Sequence, residues 1–193
     1  SYKVFLFEKN GPESYKPPAD YPRLSLVTVS THDLPTLKGY WEGADIQVRS
    51  ELGLFPNPEA ADGERAARVG DRAAILNALA SQGLLPEGYG TDPHAHAQMR
   101  PELCQAIYRY LARTPAMLQG IQLEDALEMD QQMNMPGTTN EHPNWRRKLP
   151  VPVEAFAEDG RLQGLAQALN REPNRAGTPS SASEKKNTAY QPA

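Results

Sequence analysis

The sequence predicts an α/β fold, on three observations. Residues 24–30, Leu-Ser-Leu-Val-Thr-Val-Ser, are β-branched and apolar with no room for a helical stripe, so they read as a buried strand. That strand breaks abruptly into Ser30-Thr31-His32-Asp33, all small or titratable, and Leu34-Pro35-Thr36 then opens a helix with Pro35 suited to its first turn. A second apolar run, over 115–122, also terminates in polar groups, Gln122-Leu-Glu-Asp125. Strand, polar knot, helix is the unit of an α/β fold, and in such folds the carboxyl ends of the strands carry the chemistry.

The elements follow in order. Val4-Phe5-Leu6-Phe7, between Lys3 and Glu8, reads as a short buried strand closed by Asn10-Gly11-Pro12. Four prolines in residues 9–23 predict an extended loop without regular structure. After the strand at 24–30, a short helix runs from Pro35 to Glu42 and stops at Gly43, and Asp45 can cap another over 46–52. Tyr40-Trp41 either stacks on a ligand or packs between helices. The strongest helix runs from Pro58 to Gln82, with Val69, Ala73, Leu76 and Leu79 or Ala80 at helical spacing and Gly83 as its stop. Another spans Pro101–Arg113, its inner face formed by Leu103, Ala106, Ile107, Tyr110 and Leu111, with Cys104 a small core residue beside it. Residues 115–122 then give a third buried strand (Ala116, Met117, Leu118, Ile121), followed by a helical turn over 124–129. Residues 154–170 form an amphipathic helix or two, with Phe156, Leu162, Leu165 and Leu169 inward, and the polar stretch from 171 to 193 reads as a disordered tail.

Composition excludes several roles. The net charge of −4 offers no basic field for nucleic acid or acidic lipid, so neither nucleic acid nor membrane is an expected partner. No run approaches the roughly 20 apolar residues that span a bilayer, and no basic stretch leads into a signal-like apolar segment. A single cysteine forbids an intramolecular disulfide and fits a reducing, cytoplasmic setting. His94 and His96 could begin a metal site, but two ligands without a third make a poor one, so no metal is expected. With 193 residues the chain suffices for one domain or part of a larger one, and Ser1, set directly in a strand-like run, reads as an excerpt of something longer.

One further segment stands apart. Residues 130–150 carry Pro136, Gly137 and Pro143, which forbid a regular element, yet they gather Asn134, Thr138, Glu141, Asn144, Trp145 and Arg146. A flexible linker lacks Trp and Met, so this is an ordered loop. Asn134 either lines a cleft or serves structure, and Trp145 with Arg146-Arg147 is expected to pin the loop on neighbouring helices.

Taken together, Ser30-Thr-His-Asp-Leu-Pro-Thr36, Gln122-Leu-Glu-Asp125 and the string from Asn134 to Lys148 resemble amylomaltase, the bacterial 4-α-glucanotransferase or disproportionating-enzyme family of the α-amylase clan. The resemblance covers roughly residues 1–157. It implies the carboxyl-terminal part of a (β/α)₈ TIM barrel, with 4–8, 24–30 and 116–122 as strands six to eight, parallel and with the middle one central. The implied organisation is barrel over 1–157, terminal helix over 158–170 and tail over 171–193. The implied activity is transfer of α-1,4-glucan segments to glucose or another glucan by retaining double displacement, without organic cofactor.

From the same resemblance, Asp33 inherits the role of transition-state stabiliser, His32 a sugar-binding role, and Asn134 a place along the substrate cleft. The family's nucleophile and acid/base stand on strands four and five, which have no counterpart in these 193 residues, so the chain alone is expected to be inactive. The expected partners are maltooligosaccharides and the amino-terminal part of the barrel. The competing reading of Asp33 is a plain helix N-cap, and the competing reading of the whole is a non-catalytic α-glucan-binding protein.

Overall fold

The computed structural model describes residues 1–172. Its centre is a parallel three-stranded sheet of β1 (Tyr2–Val4), β4 (Leu26–Thr28) and β5 (Leu118–Gln119), in the order β1-β4-β5. Tyr2 stands opposite Leu26, and Leu26 opposite Leu118, so the strand that leads into His32-Asp33 is central, as the barrel reading requires. Helices cover the sheet: α1 (Leu37–Glu42), α2 (Ala44–Glu51), α3 (Pro58–Ser81), α4 (Pro101–Ala112), α5 (Leu123–Ala126) and α6 (Gly160–Asn170). Phe5, Val27, Leu37, Trp41, Leu76, Leu103, Ile107 and Leu111 are all fully buried in one continuous core. Trp41 therefore packs and does not await a ligand. No described helix is long and apolar enough to cross a membrane.

The structure departs from the sequence reading at several points, each for a local reason. The first strand is shorter than expected. Phe5 and Leu6 are both buried while Phe7 is exposed, and a 3₁₀ turn over Phe5–Phe7 achieves this by turning two consecutive side chains inward. The expected loop at 9–23 contains an antiparallel hairpin, β2 (Lys9–Gly11) with β3 (Ser14–Tyr15). Pro12 sits in its turn, outside the ladder, where its missing N–H costs nothing. Tyr15 holds the hairpin down by stacking on Phe5, ring centroids 4.5 Å apart.

Asp45 is not a cap. Gly43, at φ 79, ends α1 and begins α2, a left-handed position that glycine takes without steric cost. The Asp45 carboxylate instead forms a buried two-point pair with Arg68 of α3, at 2.8 and 2.9 Å. The buried face of α3 accordingly runs through Ala61, Arg68, Ile75, Leu76 and Leu79, whereas Val69 and Ala73 are only half-buried and Ala80 is exposed. The Arg68 guanidinium is buried because it meets that carboxylate and lies 3.6 Å from the centre of the Tyr40 ring. The third strand is also shorter than expected, and its residues Met117, Leu118 and Ile121 are exposed, only Ala116 being buried. These side chains flank an edge of the sheet that has no covering element among the described residues.

At the carboxyl end α6 packs on α4 through Leu165 and Ala168, with Leu162 and Leu169 partly buried and Phe156 half-buried. Glu172, assigned by sequence to the disordered tail, is 8% exposed and binds both Arg109 (2.5 Å) and Arg113 (2.6 Å) of α4. The remainder of that predicted tail, 173–193, lies outside the described residues.

Candidate functional site

The site grows from the end of β4. Val29 and Ser30 are still buried, and then the chain turns outward through Thr31, His32 and Asp33 before returning to α1. The turn is tied at each step: Leu34 N–H donates to Thr31 O (3.1 Å), Asp33 N–H to Thr31 Oγ1 (3.3 Å), and Ser30 Oγ donates to Pro35 O (2.7 Å). Thr36, not Asp33, caps the helix, its hydroxyl accepting from Gly39 N–H at 3.1 Å. That removes the cap reading of Asp33 and leaves its carboxylate free for other work.

His32 and Asp33 stand side by side in solvent, Nε2 to Oδ2 at 3.3 Å, with side chains 63% and 52% exposed. Asn134, 101 residues further along, reaches the same carboxylate, its Nδ2 donating to Asp33 Oδ1 at 2.6 Å. The three residues proposed from sequence thus converge on one carboxylate. The 130–150 loop that delivers Asn134 is ordered without regular structure, as expected. Its Asn144 accepts from Met135 N–H at 2.8 Å and donates to Thr138 Oγ1 at 2.8 Å, while Met135 and His142 are buried beneath it.

Trp145 does not pin the loop to the helices. It is 63% exposed, in a left-handed conformation (φ 59) that costs a non-glycine residue roughly 1 kcal/mol or more, and its ring lies against His32 with centroids 5.3 Å apart.

Two cavities adjoin the pair. One of about 310 Å³ runs along the sheet to the carboxyl ends of its strands, lined by Tyr2, Leu26, Thr28, His32, Gln122 and Glu124 among others. The other, of about 350 Å³, is bordered by Asp33, Leu34, Tyr40, Arg68 and Met135. Leu34 and Gln132 border both cavities, which meet at the His-Asp turn.

Sequence reasoning missed what holds the framework around the turn in place. Asp125, in the turn after β5, is fully buried. Its Oδ1 accepts from Leu37 N–H at 2.6 Å and its Oδ2 from the Tyr108 hydroxyl at 2.7 Å, and the same hydroxyl accepts from Gln122 N–H at 3.2 Å. One carboxylate thus joins the start of α1, the turn after β5 and α4. Burial pushes its acid up to about 6 against the lowering pull of those two donors, and burial also drives the Tyr108 hydroxyl well above its ordinary value. The signal was the string Gln122-Leu-Glu-Asp125, whose acidic residues read as a polar strand end, with nothing local to reveal that the second one turns inward.

The described residues contain no group of three or more His, Cys, Asp or Glu that could hold a metal. His96 stacks on Tyr89 (3.9 Å between centroids), and its carbonyl accepts from Trp41 Nε1 at 2.9 Å.

Comparison with known proteins gives the family of the chain. The family profile described as 4-alpha-glucanotransferase matches residues 1–153. A 4-alpha-glucanotransferase of Haemophilus influenzae is 34% identical over 175 residues, covering 90% of this chain and 24% of its own length. One of Mycobacterium tuberculosis is 38% identical over 176 residues, covering 86% of this chain and 23% of its own. The crystal structure of amylomaltase from Corynebacterium glutamicum superposes with a TM-score of 0.76 at 29% identity, over 87% of this chain and 25% of that one. The chain spans about a quarter of the length of the relatives it matches.

Proposed function

The chain belongs to the 4-alpha-glucanotransferase family, and on that premise we propose that it supplies the sugar-gripping corner of a retaining glucan-transfer site. The observation that carries this reading is the convergence of His32 and Asn134 on the two oxygens of Asp33, at the mouth of the central strand. A carboxylate held in that way accepts hydroxyl hydrogens of a glucosyl unit. Its negative charge gains value as the ring flattens and becomes positive on the way to the transition state, so it stabilises that state more than the ground state. His32 binds a neighbouring hydroxyl, and Asn134 fixes the direction in which the carboxylate points. Asn134 is thus as much a positioning residue as a substrate contact.

The strands of this chain are read as the sixth to eighth of a (β/α)₈ barrel. The remaining strands pair at the two edges of this sheet, beside β1 and β5. Those strands bring the nucleophilic carboxylate and the acid/base of the double displacement, which forms a glycosyl-enzyme and passes the glucan to an acceptor hydroxyl. The substrates are α-1,4-glucans such as maltooligosaccharides, and the lone buried thiol of Cys104 is compatible with a cytoplasmic setting.

The test has two arms. The 193-residue chain alone releases no glucose from maltotriose, and release above that of an Asp33→Asn control overturns the division of labour. In a chain of the relatives' length carrying these residues, Asp33→Asn lowers turnover roughly 100-fold or more with little loss of stability. Near-normal turnover removes Asp33 from the mechanism. The second reading, a non-catalytic α-glucan-binding protein, predicts binding without turnover in both arms.

A further inference from the structure

The 130–150 loop brings a second residue to the pair, and its placement is costly. Trp145 sits at φ 59, and its amide is tied to Met133 O at 3.0 Å. Met133 directly precedes Asn134, so the loop reaches the site twice from one place: the Asn134 amide meets Asp33, and the indole meets His32 with ring planes inclined at 47°. The ring gains no shelter there. It is 63% exposed, whereas the only other tryptophan of the chain, Trp41, is fully buried.

A large apolar ring held in an unfavourable backbone conformation, beside polar hydrogen-bonding groups and open to solvent, presents a free face to a ligand. We propose that Trp145 is a platform for a glucosyl ring of the substrate, a contact resting on the glucan reading above. A pyranose carries hydroxyls at its rim and C–H groups on its faces. An indole for the face and His32-Asp33 for the rim match that division, and neither alone would orient the sugar. Trp145 is thus a specificity-determining contact, favouring ligands that offer a C–H face and a hydroxyl rim together.

The test uses the 193-residue chain with maltohexaose as probe. Saturation-transfer NMR reads binding from the sugar side. Iodide quenching of tryptophan fluorescence reads Trp145 from the protein side, since Trp41 is buried. Maltohexaose should protect the fluorescence from iodide along the same saturation curve that NMR gives. Trp145→Ala should weaken binding roughly tenfold with an unchanged melting temperature, and Trp145→Phe, which keeps an aromatic face, should stay within about threefold. If Trp145→Ala proves unstable, quenching of the wild type and the affinity of Trp145→Phe decide the question. Maltohexaose binding with no change in quenching, or with full affinity in Trp145→Ala, overturns the platform and leaves the glucan reading intact. No saturation transfer to the wild type overturns both.

Discussion

Removing the hydroxyl of Tyr108 tests whether the Asp125 junction holds the site's framework. The hydroxyl donates to Asp125 Oδ2 at 2.7 Å and accepts from Gln122 N–H at 3.2 Å, and Tyr108 and Asp125 are 0% and 2% exposed. Tyr108→Phe fills the same space, so packing changes little. It takes a donor from a buried carboxylate, a loss of about 1.5–3 kcal/mol, and leaves the Gln122 amide short of its partner for about 1 kcal/mol more. The expected destabilisation is therefore about 3 kcal/mol. In urea titration this moves the midpoint down by roughly 1–2 M at unchanged slope. The second arm is Asp125→Asn, whose amide cannot accept from both Leu37 and Tyr108. The double variant should be less damaged than the sum of the singles by about 1–3 kcal/mol, because both remove the same bond.

The pH dependence has a definite sign. The Asp125 acid sits at about 6 when folded, above its ordinary 3.8, so the folded state binds the proton more tightly. Its contribution to stability is fully present below 3.8 and is lost as pH rises through about 6. Asp125→Asn should abolish that slope. A Tyr108→Phe loss under about 0.5 kcal/mol, or strict additivity in the cycle, would show that the junction is incidental.

Two other positions give independent checks. A Cβ on Gly39 would lie 2.3 Å from the carbonyl oxygen of Asp130, so Gly39→Ala must push backbone where the 130–150 loop begins. The clash outweighs the gain in helix propensity of up to about 1 kcal/mol, and a calorimetric melting temperature that rises would refute this. At Glu172, burial opposes ionisation but Arg113 and Arg109 outweigh it, holding the carboxyl below its ordinary 4.5. Its stabilisation is thus present above 4.5 and lost as pH falls through the lower folded value. Glu172→Gln should cost about 1–3 kcal/mol at neutral pH and progressively less in acid, and a deficit in urea titrations that does not vary with pH would contradict the pairing.

How much of this was legible in the chain differs from element to element. The helices at 58–81 and 101–112, the stop at Gly43 and the outward turn at His32-Asp33 were readable, because their causes are local: apolar period, cap chemistry and the abrupt change from β-branched to polar residues. The strings from Ser30 to Thr36 and from Asn134 to Lys148 marked the family. What local pattern could not decide was who meets whom. Asp45 reads as a cap, but 23 residues further on Arg68 supplies a better partner for its charge. Asp125 reads as one more acid at a strand end, yet it is the buried joint between Leu37 and Tyr108. Trp145 reads as a packing residue, since burial is the usual fate of an indole, and only the closure of its loop onto Met133 turns it outward against His32. A charge or ring satisfies itself with whichever group the fold brings near, and that proximity is a property of the tertiary structure alone.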